Sequence, residues 1–332
     1  MYLITGGLGF IGFNFVKLCL KKKIKFVVLD AGTYAANDKI KFLKASRIKF
    51  YKTRIGNKRK VTKILKKHQI KAIINFAAET HVDNSISNPS IFIKTNIIEF
   101  YNLLQTSKIF FNKLSKNDKK NFRFLNISTD ETFGSLRSNE KKFTEKSKFY
   151  PNNPYSASKS AGDLIARAWC KTFDLPIITT NCSNNYGRYQ NREKLIPKII
   201  TNALSNLAIP IYGNGKNTRD WIHVEDHCLA IYKIVRSGKV GQTYNIGGSN
   251  EIQNIKLAKL ICKILDNIYP KKDKSSYTRQ IKFVSDRKAH DHRYAINSKK
   301  IKTELNWQTK IKFDEGIKDT VQFYMSHLIK KI

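Results

Sequence analysis

Long apolar runs are missing from this chain. Nothing approaches the ~20 consecutive apolar residues that a membrane-spanning helix needs, so no membrane partner is expected. Cysteine is sparse and scattered. Cys19, Cys170, Cys182, Cys228 and Cys262 include no C-x-x-C pair, which argues against a disulfide framework or a zinc site and fits a reducing cytoplasm. No metal is expected. No basic and then apolar leader with a small-residue cleavage site precedes Tyr2-Leu3-Ile4, so a secretory signal is not expected either. Internal repeats and low-complexity linkers are likewise lacking.

Negative charge is the largest deficit. Asp and Glu number 25 against 62 Lys and Arg, a formal net charge of +37. Such an excess raises the question of nucleic acid. Here it is spread in short runs such as Lys21-Lys22-Lys23, Lys66-Lys67 and Lys271-Lys272, and no aromatic-interleaved stripe collects it. No nucleic-acid partner is expected. Dispersed charge of this kind speaks to solubility and to the steering of anionic substrates.

What is present is enough for a core: 332 residues with 41% hydrophobic content allow a large α/β domain plus a smaller one. Short apolar or β-branched runs at Leu3–Thr5, Phe26–Asp30, Ile48–Tyr51, Ala72–Phe76 and Phe122–Ser128 alternate with polar stretches of helical spacing, such as Val61–His68 and Ile91–Leu104. That alternation predicts a Rossmann-type, doubly wound parallel sheet, α/β in class. A helix is expected from Pro154 through Lys171, since proline suits a first turn. Ile177–Asn181 and Thr243–Ile246 read as further strands. Residues 1–185 are expected to form this Rossmann-type domain, with strands from about 215–247 returning to it. Residues 186–332 would then form mainly a smaller, mixed α/β substrate-binding domain.

Thr5-Gly6-Gly7-Leu8-Gly9-Phe10-Ile11-Gly12 follows the first strand and opens the first helix. Gly6, Gly9 and Gly12 give G-x-x-G-x-x-G spacing, which lets the backbone approach a pyrophosphate at a helix N-terminus. Asp30 ends the second strand. A carboxylate there accepts hydrogen bonds from ribose hydroxyls and repels a 2′-phosphate, which favours NAD over NADP; the bland alternative is a turn or cap residue.

Ser128-Thr129-Asp130-Glu131 ends a predicted strand, where open α/β sheets place their ligands. Tyr155 and Lys159 stand at i and i+4 on one helix face. A nearby ammonium is expected to lower the tyrosine pKa so that the phenolate can take a hydroxyl proton. A plain dehydrogenase or epimerase needs only Thr129, Tyr155 and Lys159. The adjacent Asp130 and Glu131 add the acid and base that eliminating water requires; for an isolated Asp-Glu, capping a loop or pairing with surplus lysines would be the favoured reading.

Across these motifs the chain closely resembles the bacterial dTDP-glucose 4,6-dehydratases of the extended short-chain dehydrogenase/reductase group. The matching blocks include Ala77-Ala78-Glu79-Thr80-His81-Val82-Asp83, Pro154-Tyr155-Ser156-Ala157-Ser158-Lys159, Asn184-Asn185-Tyr186-Gly187, Arg219-Asp220-Trp221, Val224-Glu225-Asp226-His227, Asp286-Arg287 and His290-Asp291. The resemblance implies a deoxysugar-forming lyase. Tyr155, assisted by Lys159 and Thr129, would take the sugar 4-hydroxyl proton while hydride passes to NAD. Glu131 would take the C5 proton, Asp130 would protonate the departing C6 hydroxyl, and hydride would return to C6. It further implies that Gly6, Gly9, Phe10, Ile11, Gly12, Asp30, Ala77, Ala78, Glu79, Thr95, Tyr155, Lys159 and Asn185 hold NAD. Thr80, Asn184, Lys194, Leu195, Pro210, Tyr212, Arg219, Asn254, Arg287 and His290 would hold the nucleotide sugar, with the two guanidiniums suited to a diphosphate. A homodimer through the helix bearing Tyr155 is also implied.

There are departures from the pattern. Thr53-Arg54-Ile55 stands where the family usually has Gly-Asp-Ile, whose aspartate contacts the adenine. Leu8 and Phe13 replace small residues, and Arg188 and Asn191-Arg192 replace the more usual proline and aromatic-proline. The nearest rival reading is a UDP-glucose 4,6-dehydratase, since telling thymine from uracil rests on one methyl, worth ~1–3 kcal/mol in a pocket. A 4-epimerase fits less well, because of Asp130 and Glu131. A non-catalytic NAD-sensing or nucleic-acid-binding protein is the rival of another class.

Overall fold

The computed structural model describes residues 1–33 and 36–329. Among the described residues there are twelve strands: β1 Tyr2–Thr5, β2 Phe26–Asp30, β3 Phe50–Lys52, β4 Ala72–Asn75, β5 Arg123–Thr129 and β6 Ile177–Cys182. They continue with β7 Asn184–Tyr186, β8 Ile209–Tyr212, β9 Thr218–His223, β10 Thr243–Ile246, β11 Glu251–Gln253 and β12 Ile281–Val284. A seven-stranded sheet runs in the order β10-β6-β5-β4-β1-β2-β3, and every pairing in it is parallel. All residues of β4 and β6 are buried, as expected of strands covered on both faces.

Helices close both sides. The helices Phe10–Lys21 and Val224–Ser237 pack on one face over a core that includes Phe15, Val28, Ile74 and Ile231. Lys58–Lys67, Phe100–Asn112 and Pro154–Phe173 cover the other, over Leu3, Val27, Ile73 and Phe124. Strand order reverses between β1 and β4, so a crevice opens at the carboxyl ends of these two strands. Of the stretch from about 215 to 247, only β10 joins this sheet. β9 instead pairs with β7 and β11 in a separate three-stranded sheet, and β8 pairs with β12. A third core, including Ile200, Ile211, Trp221, Ile261 and Val321, lies under this smaller assembly.

Two local features set up the site. The long helix begins with Pro154 in its first turn, and the Asn153 side chain accepts from Ser156 N at 2.9 Å as its cap. Where even helical spacing was expected over Ile91–Leu104, the structure has a short helix Pro89–Phe92, a π-helical turn Ile93–Glu99 and then Phe100–Asn112. Asn96 accounts for the widening. Its side chain accepts from Glu79 N (2.9 Å) and donates to Glu79 O (3.0 Å) and to Ser158 Oγ (2.9 Å), stitching the turn to the loop after β4. Such turns often accompany functional sites, and this one aims Thr95 and Glu99 into the crevice.

Candidate active site

The glycine turn is built for close approach. Gly6 has φ +65°, and a Cβ there would stand 2.5 Å from Ala77 N. A Cβ on Gly12 would stand 2.2 Å from Gly6 O. Gly9 begins the helix Phe10–Lys21 with no side-chain cap and no acidic residue in the first turn, which leaves its N–H groups open to an anion. Asp30, at the end of β2, accepts from Leu8 N (3.0 Å) and Gly32 N (2.8 Å), which fixes its carboxylate at the rim. Burial raises its pKa and these two amides oppose the rise.

This turn forms one wall of a cleft of about 310 Å³. All thirteen residues expected to hold NAD line it, and so do Thr129, Asp130 and Glu131. A cradle of two glycine positions with no room for a side chain, a free helix N-terminus and a fixed carboxylate fit a dinucleotide. A second cleft, of about 460 Å³, collects all ten residues expected to hold the nucleotide sugar. Thr80, His81, Glu131, Asn184, Asn185, Gln190 and Lys194 line both, so the two spaces meet at Glu131.

The reacting groups come from two elements. β5 ends at Thr129, whose hydroxyl accepts from Glu131 N at 3.3 Å and caps the one-turn helix Asp130–Phe133. That turn puts the two carboxyls side by side at the strand end. Across from it, the helix Pro154–Phe173 presents Tyr155 and Lys159, and Lys159 Nζ donates to Ile127 O at 2.8 Å. Beneath lies a buried polar layer around Asp163. Asp163 accepts from Asn126 (2.8 Å), Ser128 Oγ (2.7 Å) and Asn181 (3.2 Å). Its carboxyl is pushed up to about 6 by burial, against the pull of Lys159 and these donors.

Burial also separates the two carboxyls at the strand end. Asp130 is held well above the ordinary carboxylate range, by desolvation first and then by Glu131 and Asp220. Its Oδ2 has no hydrogen-bond partner among the described residues. Glu131 is raised too, but Arg219 and Lys194 pull it back. The arrangement therefore sets Asp130 up to hold its proton more readily than Glu131 does. The expectation for Tyr155 needs correction. Its pKa stands well above the ordinary phenol value: burial is the main cause, Glu131 and Cys182 add to it, and a Thr129 hydrogen bond opposes it. Lys159 is itself lowered by burial.

In the second cleft, Arg287 pairs with Asp83 at 2.6 Å and lies over the Tyr212 ring, which reaches Asp83 at 3.3 Å. Arg219 donates to the carbonyls of Asp291 and His292 and stacks 4.3 Å from the Tyr294 ring centre. Lys194 Nζ donates to Thr80 O at 2.8 Å. Leu8, Thr53 and Arg54, noted above only as departures from the family pattern, line the first cleft. Several lining residues were not expected at the site: Glu99, Ser183 and Gln190 line the first cleft, and Asp83, Asp291 and Tyr294 the second. Asp83 and Asp291 stand inside matching motif blocks, a usable signal. Glu99 follows Thr95 by four positions, which is one helical turn.

With that geometry in place, the comparisons decide the family. The family model described as GDP-mannose 4,6 dehydratase matches residues 3–320. A dTDP-glucose 4,6-dehydratase of Xanthomonas campestris pv. campestris (strain B100) is 46% identical over 329 residues, covering 98% of this chain and 93% of the relative. The chain belongs to the dTDP-glucose 4,6-dehydratases. The corresponding Escherichia coli (strain K12) protein, dTDP-glucose 4,6-dehydratase 1, is 44% identical over 336 residues, covering 98% of this chain and 92% of that one. The crystal structure of the Bacillus anthracis dTDP-glucose 4,6-dehydratase in complex with NAD matches this dehydratase with a TM-score of 0.85 at 40% identity, over 98% and 96% of the two chains. A UDP-glucose 4-epimerase of Thermus thermophilus also superposes, with a TM-score of 0.85 over 98% of each chain, but at 20% identity that likeness shows the fold alone.

Proposed function

We infer that this chain converts dTDP-glucose to dTDP-4-keto-6-deoxyglucose with NAD as resident cofactor. The observation that carries the reading is the junction of the two clefts. Thr129, Asp130, Glu131, Tyr155 and Lys159 line the space in which a sugar held from one side meets a nicotinamide held from the other. NAD bound there supplies reversible hydride acceptance at C4 and hydride return at C6. Tyr155 takes the 4-hydroxyl proton, with the Thr129 hydroxyl stabilising its phenolate and the Lys159 ammonium its charge. The C4 ketone so formed acidifies the C5 hydrogen. Glu131 removes that proton, Asp130 gives its own to the departing C6 hydroxyl, and a proton goes back to C5 when hydride returns to C6. Residues 1–185 serve NAD and 186–332 mainly the nucleotide sugar. Arg219, Arg287 and Lys194 supply the positive charge for the diphosphate.

Mass spectrometry of dTDP-glucose and UDP-glucose, each incubated separately with purified protein and no added oxidant, tests the reading. Loss of one water from dTDP-glucose is expected, with solvent deuterium appearing at C5. Faster conversion of UDP-glucose would reassign the base, and no water loss from either would overturn the dehydratase reading.

The enzyme works as a homodimer. Ile98, Ile109 and Leu164 are 53%, 54% and 56% exposed on the outer faces of neighbouring helices, and Ile93 and Tyr101 are exposed beside them. Exposed apolar side chains gathered in this way mark an interaction surface. Light scattering at micromolar concentration is expected to give twice the chain mass, and Ile98→Glu with Leu164→Glu to give a monomer. A monomeric wild-type chain would overturn the assignment. The cytoplasm is the compartment that suits five cysteines, all free; no helix among the described residues is long and apolar enough to cross a membrane.

A further inference from the structure

The far end of the cofactor cleft, beyond Asp30, holds an ion pair that the chemistry above does not use. Arg54, just after β3, donates from Nε to Glu99 Oε1 at 2.5 Å and from Nη2 to Thr95 Oγ1 at 2.8 Å. Glu99 is buried, while Arg54 reaches outward. Both line the cleft. Gly56 makes room for the pair: a Cβ there would stand 2.6 Å from Glu99 Cγ. Glu99 Oε2 takes no hydrogen bond among the described residues. A buried carboxylate with one oxygen pinned and the other open is a directed acceptor, and one whose desolvation has been met by a fixed cation.

This step rests on the NAD reading. A dinucleotide with its pyrophosphate at the Gly9 helix end and a ribose at Asp30 has its adenine directed past Asp30, to this end of the cleft. The 6-position of adenine carries N–H donors, for which a carboxylate oxygen is the matching partner. Arg54 lines this end of the cleft as a cation, and a guanidinium donates but does not accept, so the acceptor it offers is the carboxylate it holds. We propose that Glu99 selects the adenine 6-amino group in this chain, and that Arg54 is its positioning residue.

A competition experiment decides it. The holoenzyme is equilibrated with equimolar NAD and nicotinamide hypoxanthine dinucleotide, whose 6-keto group accepts where the amine donates. Free nucleotide is removed, and the retained dinucleotides are separated by chromatography. The wild-type chain should retain NAD over the analogue by about 10-fold, the scale of one hydrogen bond to a charged group. Glu99→Gln, whose amide can both donate and accept, should bring the ratio to about 1:1. Arg54→Lys, which keeps a cation but loses the fork to Thr95, should lower the ratio several-fold. A wild-type ratio near 1:1, or a wild-type ratio in Glu99→Gln, overturns the proposal; an unchanged ratio in Arg54→Lys overturns the positioning role. If Glu99→Gln fails to fold, the wild-type ratio alone decides. Retention of neither dinucleotide would overturn the cofactor reading itself, and this inference with it.

Discussion

Tyr155→Phe should bring turnover of dTDP-glucose down by about 10³–10⁴-fold, at the upper end of what one general base supplies. The loss should fall on the first oxidation: single-turnover absorbance of reduced nicotinamide should show none formed on mixing with substrate. Substrate affinity should hardly change, because the ring stays. Phenylalanine keeps the edge-on packing against Phe92, whose ring centre lies 6.3 Å away, and only the hydroxyl is removed. The direction of pH dependence follows from the same environment. Since burial holds the Tyr155 phenol well above its ordinary pKa, the phenolate is the minority form in the chain alone, and oxidation in the wild type should rise with pH until that fraction saturates. Single-turnover oxidation in Tyr155→Phe within 10-fold of wild type would remove Tyr155 from the base role.

Much of this site was legible because its chemistry sits on short, contiguous motifs. A strand-end Ser-Thr-Asp-Glu, a helical Tyr/Lys pair and a glycine turn each declare a local geometry, and a parallel sheet brings all three to the same edge by its connectivity alone. Strand positions read well where burial on both faces forces continuous apolar runs, as in β2 and β4. β3 was read two residues early, because Ile48 continues the apolar pattern while the pairing begins at Phe50, opposite Val28. The destination of β9 was not readable from alternation. Its register is set by antiparallel pairing to Glu251–Gln253 and parallel pairing to Asn184–Tyr186, both distant in sequence.

What the sequence hid was tertiary electrostatics. Helical spacing puts Tyr155 and Lys159 on one face, but nothing local says that Lys159 reaches the Ile127 carbonyl or that Asp163, one turn on, lies among Asn126, Ser128 and Asn181. Those donors come from two strands, β5 and β6. The raised tyrosine follows from the sum of burial and three neighbouring groups, Glu131, Cys182 and Asp130, none of which is near it in sequence. The π-helical turn was hidden for a similar reason: one asparagine bonded to a distant loop overrides an otherwise even helical pattern.

Asp130→Asn combined with Glu131→Gln should separate the two halves of the reaction. Both replacements keep side-chain shape and remove only the acid and the base. Thr129, Tyr155 and Lys159 remain, so C4 oxidation should persist, with reduced nicotinamide accumulating and a 4-keto sugar that still holds its C6 hydroxyl. Water loss should fall by about 10²–10⁴-fold, the range for positioned proton transfer. Stability should move the other way for the aspartate alone. A carboxyl whose folded pKa is raised favours the fold fully below its unfolded pKa and loses that advantage as pH climbs through the raised value. Asp130 is raised well above 3.8, so at neutral pH the wild-type chain carries a penalty that Asp130→Asn lacks. The single variant should therefore melt at or above the wild-type temperature at pH 7, and the gap should close as pH falls toward 4. Mass spectrometry of the products reads the first expectation and thermal melts across pH the second. A double variant that dehydrates at the wild-type rate would move the acid and base to other residues, with Tyr155 left as base for the oxidation alone.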